Sequence, residues 1–176
     1  DGIILEIKQS SSLGLDKIFK AIGKIQFDFI LQNKHFIRGG IAVGNKFTED
    51  KVNYISNGFA RAVKLESSFT TWPIIGTDTR MITEMRNTFN IDNKDECFGL
   101  TRCFNKNGDF IYFIDFIENK TDYLDLLDKK IEEFSDPANK NPKKELIRDK
   151  YIWLLRYYLH KYEGSKIPES LKGIVL

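Results

Sequence analysis

Nine consecutive residues, Phe36-Ile37-Arg38-Gly39-Gly40-Ile41-Ala42-Val43-Gly44, are where side-chain types and spacing first point to chemistry. An arginine inside an apolar strand is costly unless it meets a carboxylate, a phosphate or water. Two adjacent glycines weaken a strand and mark a bulge, or a close approach of another backbone or a ligand. Two readings stay open. Gly39 and Gly40 could let a helix pack tightly while Arg38 reaches the sheet edge, or the three residues could line a site for an anionic ligand. Downstream, Arg61 and Lys64 lie on one amphipathic segment ending in Leu65-Glu66, where they serve either a ligand or the solvent. Asp78 and Arg80 follow a short apolar run, and Asp115 ends another. An α/β sheet presents ligand-binding groups at such strand ends, although Asp78 also suits a helix cap.

Other chemistries find no support in the sequence. His35 and His160 sit on separate segments, and no Gly-x-Ser-x-Gly elbow accompanies them. Neither a zinc-spaced Cys/His set, nor a phosphate loop, nor the dinucleotide glycine fingerprint occurs. Tyr151, Trp153, Tyr157 and Tyr158 cluster without enough basic charge for a base-stacking platform, so they read as core or interface.

The elements that must position these residues follow from periodicity. A β-branched run at Ile3–Ile7 predicts a strand, and apolar residues at helical spacing predict a helix over Leu13–Gln32. Phe36–Val43 reads as a buried strand and Gly44–Val52 as a polar loop. Tyr54–Ser67 reads as a helix with Ile55, Phe59, Ala62 and Val63 on its apolar side. A short strand at Trp72–Gly76 precedes a helix over Asp78–Phe89, capped by Thr77 or Asp78. Cys97–Phe104 and Phe110–Phe116 form a hairpin around Asn107-Gly108, the strongest short-range hairpin signal. Helices over Tyr123–Phe134 and Lys143–Tyr162 close the chain. The order β-α-β-α-β-α-ββ-αα predicts an α/β fold, a sheet covered by helices with a C-terminal helical pair. Residues 1–117 then form the α/β domain, and 118–176 a helical extension that packs on it or on a partner.

Composition agrees with such a domain. The 176 residues are 41% hydrophobic with fourteen Phe, enough to bury a core. A net charge of +2 is too small to argue for nucleic acid or a membrane as the main partner. Cys97 and Cys103 fall on one face of the expected strand, some 20 Å apart at roughly 3.3 Å per residue, too far to pair. Unpaired cysteines suit a reducing, cytoplasmic compartment. No apolar run reaches a membrane span. Opening on Asp1-Gly2-Ile3-Ile4, within a strand-like run and without Met, the chain is expected to continue a longer sequence.

In order and spacing these segments resemble the catalytic domain of class III nucleotidyl cyclases. The resemblance rests on Arg38-Gly39-Gly40-Ile41-Ala42-Val43-Gly44, a loop, Ser56 through Ala62-Val63-Lys64-Leu65-Glu66, and Trp72-Pro73-Ile74-Ile75. It is nearest to the bacterial Pycsar pyrimidine cyclases, whose Arg-Gly-Gly strand and late aromatic helix are echoed by Arg38–Gly40 and Lys150–Leu154. It spans roughly Asp1–Gly76. The resemblance implies a ferredoxin-like core that cyclises UTP or CTP to a 3′,5′-cyclic mononucleotide and pyrophosphate, as a second messenger in antiphage defence. It also implies a homodimer with composite sites. Arg38 and Lys64 would be catalytic, Gly39, Gly40 and Arg61 would contact the nucleoside triphosphate, and Asp1 would hold Mg2+ or Mn2+ with an aspartate from upstream. Ala60 and Lys64 stand where purine cyclases carry an Asn and an Arg, and Ile74 follows Pro73 where the relatives have Arg. A catalytically degenerate cyclase-like domain that binds a nucleotide or a protein is the alternative.

Overall fold

The computed structural model describes residues 5, 12–45, 56–68, 72–94, 96–104, 110–118, 121–136 and 141–162. The expected first strand (all but Leu5), Asp1 as the expected metal ligand, and most of the Gly44–Val52 loop lie outside the described residues. The protein is a mixed α/β fold with the order α1 (Ser12–Asn33), β1 (Gly39–Gly40), α2 (Asn57–Ser68), β2 (Ile75–Asp78), α3 (Thr79–Thr88), β3 (Leu100–Phe104), β4 (Phe110–Ile114), α4 (Thr121–Ser135) and α5 (Pro142–Lys161). Two compact units divide the chain: residues 1–26 with 36–116, and residues 27–35 with 117–176.

In the first unit four strands form one sheet in the order β1-β2-β4-β3. β1 and β2 run parallel, with Gly39 opposite Ile75 and Gly40 opposite Gly76, so β1-α2-β2 is a strand–helix–strand crossover unit. β2 then pairs antiparallel with β4, and β4 with β3 across the expected hairpin. One face of the sheet is apolar and buries Leu15 and Phe19 of α1, Ile82 and Met85 of α3, and Phe98, Leu100, Tyr112 and Ile114. Leu15, Phe19 and Ile22 recur at intervals of four and three, the stripe that turns α1 onto that core. Gln26 continues the stripe. Its side chain is fully buried and donates from Nε2 to the carbonyls of Ile37 at 2.9 Å and Pro73 at 3.0 Å, just ahead of β1 and β2. Asp78 ends β2 and caps α3, accepting from Met81 N at 2.8 Å; this satisfies one of the unpaired N–H groups of the first turn.

The second unit is aromatic inside. Phe27 meets Tyr123 at 5.2 Å between ring centroids, and Tyr123 meets Tyr158 at 5.9 Å. Leu127, Ile131, Leu154 and Leu155 fill between them, all buried. Tyr151 and Tyr158 are therefore core residues, while Trp153 and Tyr157 stack half-buried at 5.5 Å. Lys161 Nζ and Tyr162 Oη both donate to the carbonyl of Ile117, tying the end of α5 to the segment that leads into α4. No helix among the described residues is long and apolar enough to cross a membrane.

Three sequence expectations are corrected. The buried strand at Phe36–Val43 reduces to a ladder at Gly39–Gly40 whose neighbours are only half-buried. Among the described residues β1 is an edge strand with one ladder neighbour. Cys97 and Cys103 do not share a strand. A tight turn with Phe98 at φ 57° and a hydrogen bond from Leu100 N to Cys97 O precedes β3, which starts at Leu100. The two cysteines are not joined in a disulfide. Finally, Phe59 and Val63 face outward, 40% and 47% exposed, rather than forming the inner side of α2. The inner side is made of small residues, for the reason given next.

Candidate functional site

The site is built on β1 and α2. A Cβ placed on Gly40 would overlap the carbonyl oxygen of Ala62 and lie 2.9 Å from its Cα, closer than real side chains approach. One on Gly44 would overlap the Gly58 backbone and Asn57 Oδ1. Gly40 and Gly44 are four apart, as are Gly58 and Ala62, so the segment leaving β1 and the helix run antiparallel with small residues facing small residues. Glycine is required at this spacing because main chain meets main chain directly. Gly39 differs: a Cβ there would make ordinary contact with Ile75 at 3.7 Å. Of the two expected ligand-facing glycines, Gly40 serves the helix seat and Gly39 is not sterically demanded by it.

Three further bonds fix the segment after β1. Ile41 N donates to Gly76 O at 2.8 Å, Thr77 Oγ1 donates to Ile41 O at 2.9 Å, and Asn45 N donates to Asn57 Oδ1 at 2.8 Å. Thr77 is fully buried, which makes its hydroxyl bond obligatory.

The expected cations are distributed around this seat. Arg38, which precedes β1, places Nε 2.7 Å from Glu66 Oε1 in the last turn of α2, with 39% and 28% of the two side chains exposed. The carboxylate demanded by an arginine in this position is therefore Glu66. Arg61 is half-buried. Its Nη1 donates to Val43 O at 3.1 Å and its Nη2 pairs with Glu84 Oε1 of α3. The same carboxylate oxygen accepts from Arg80 Nε at 3.3 Å. The Arg61 hydrogen bond, reinforced by its charge and by Arg80, holds the Glu84 carboxyl below its ordinary range despite some desolvation. Lys64 and Ala60 lie on the exposed side of α2.

The structure thus brings Arg38, Gly39, Gly40 and Arg61 onto one strand–helix unit, with Arg38 and Arg61 held by different carboxylates. Sequence reasoning missed Glu84 and Gln26. The Glu84–Arg61 pair carried no local signal, its members lying 23 residues apart, although Glu84 stands four residues after Arg80 on one helix; Gln26 lies four residues after Ile22, on the buried side of α1. Among the described residues no three His, Cys, Asp or Glu side chains gather as a metal site, and Asp1 lies outside them. The chemistry offered by the described residues is that of guanidinium and ammonium groups beside a glycine-bearing strand end. No family model, curated protein or solved structure matches the chain.

Proposed function

We propose that the chain is the catalytic domain of a nucleotidyl cyclase acting on a pyrimidine nucleoside triphosphate, UTP or CTP, as a cytoplasmic second-messenger source in antiphage defence. The observation that supports it most is the β1-α2-β2 unit, which carries Arg38, Gly39, Gly40, Arg61, Lys64 and Glu66 in the order and spacing of the resemblance. In open α/β sheets, ligands favour the carboxyl ends of parallel strands; of the expected cations Arg61 lies there, beside Val43 beyond β1, whereas Arg38 stands at the amino end of the strand. In cyclisation the ribose 3′-hydroxyl gives up its proton to solvent and its oxygen forms a bond to the α-phosphorus, while the bond from that phosphorus to the oxygen bridging to the β-phosphate breaks and pyrophosphate departs with the electron pair. Arg38 and Lys64 would offset the charge that grows on the phosphoryl oxygens, and Arg61 would hold the triphosphate. Mg2+ or Mn2+, expected at Asp1, would supply further charge neutralisation and activate the hydroxyl. The composite-site expectation makes the working form a homodimer.

A second reading is favoured by one observation. Arg38 and Arg61 each already hold a carboxylate, Glu66 and Glu84, as in a module that binds a nucleotide or a protein without turning it over. Incubating the full-length protein with Mn2+ and each of the four ribonucleoside triphosphates separates the two. Cyclic UMP or cyclic CMP is the expected product. No cyclic product from any of them overturns the enzyme reading, and retention of a labelled triphosphate would then leave the binding module.

A further inference from the structure

We infer that Arg61 and Arg80 form an anion site for a polyphosphate chain, and that the Glu84 carboxylate between them is an internal competitor the ligand must displace. The inference deepens the cyclase reading and rests on its assignment of Arg61 to the triphosphate.

Two guanidinium groups converge on a single carboxylate oxygen, Glu84 Oε1, which leaves one positive charge in excess. The two arginines come from different elements, α2 and the first turn of α3. Both lie at the carboxyl ends of the parallel pair: Arg61 reaches Val43 O beyond β1, and Arg80 follows Asp78, the last residue of β2. Arg80 is 77% exposed and, among the described residues, reaches Glu84 through Nε, so the outer edge of its guanidinium fork is open to an anion. A guanidinium fork matches phosphate oxygens in geometry as well as charge. Glu84 is 31% exposed, within reach of an incoming anion, and its side chain can swing out while Arg61 stays tethered to Val43 O. The carboxylate therefore occupies the place of one phosphoryl group and sets a threshold: a single phosphate exchanges one anion for another, whereas a polyphosphate brings enough charge to engage both arginines. The predicted ligand class is a di- or triphosphate rather than a monophosphate.

Calorimetric titration of the 176-residue chain with inorganic tripolyphosphate tests this without requiring turnover. Glu84→Gln keeps the shape and removes the competing charge, so tripolyphosphate binding should tighten by up to about fivefold, the worth of one half-exposed ion pair. Arg80→Ala, at an exposed position, should weaken binding, and orthophosphate should bind far more weakly than tripolyphosphate to every form. Unchanged or weaker binding by Glu84→Gln, indifference to Arg80→Ala, or no tripolyphosphate binding at all overturns the inference. The two proposals fail separately. Cyclic product with no response to Glu84→Gln removes this site alone, whereas the expected titrations without cyclic product remove the cyclase reading alone.

Discussion

Arg38 and Glu66 meet at 2.7 Å and join the residue before β1 to the last turn of α2. A partly exposed ion pair of this kind contributes about 0.2–1 kcal/mol. Arg38→Ala is therefore predicted to lower the thermal midpoint only slightly while abolishing cyclic-nucleotide formation and weakening triphosphate binding. Thermal unfolding beside a nucleotide titration checks this. A large stability loss, or unchanged binding and activity, would return Arg38 to a purely structural role.

The two glycines of β1 make opposite predictions. Gly40→Ala drives a methyl group into the Ala62 carbonyl, and overpacking of this kind costs about 1–3 kcal/mol, or more where both partners are backbone. Gly39→Ala meets only the Ile75 side chain at 3.7 Å and should stay within about 0.5 kcal/mol of the parent. Denaturant unfolding of the pair measures the difference directly. Equal effects would contradict the helix-seat account of Gly40.

Gln26→Met preserves much of the side-chain volume but removes the donor shared by Ile37 O and Pro73 O. Each buried carbonyl left unpaired costs on the order of 1–3 kcal/mol. Because the variant also removes Gln26 Oε1, which is buried without a hydrogen-bond partner, the predicted net loss is roughly 1–3 kcal/mol, read by urea unfolding. A variant as stable as the parent would show that the two carbonyls find other donors.

Alkaline pH should weaken the second unit. Burial, with a smaller push from Glu133, raises the Tyr151 hydroxyl to about 12, and burial also holds the Tyr123 hydroxyl well above its ordinary value. Both pKa values lie above the unfolded value near 10, so between those limits the folded state holds protons that the unfolded chain has released. Stability is then intact below about pH 10 and falls as pH rises toward 12. Near-ultraviolet phenolate absorbance recorded beside circular dichroism checks it. Tyr151 titrating near 10 with the fold intact would rule it out.

What was legible in the sequence was whatever has a period or a local chemical signature. α1 was expected at Leu13–Gln32 and spans Ser12–Asn33, and the α3 cap was readable because Asp78 precedes Met81 by the three residues that a cap requires. The inner face of α2 was not legible in this way. Gly58 and Ala62 carry almost no hydropathy, so Phe59 and Val63 dominated the pattern although they point outward. The length of β1 was overestimated because an apolar composition does not reveal how many neighbours a strand will have. The Glu84 partnership depends on α2 and α3 being brought together, which no spacing along the chain encodes.

The direct seating of α2 on the segment after β1 has a consequence for how this protein can change. Because the contact is made by main-chain atoms of Gly40, Gly44, Gly58 and Ala62, the position of the helix does not depend on its outward side chains. Ala60 and Lys64, both outward, can be exchanged without disturbing that seat. The scaffold thus separates heritable architecture from adjustable chemistry: four small residues keep the geometry, and a few outward positions are left open to selection for whatever the domain binds.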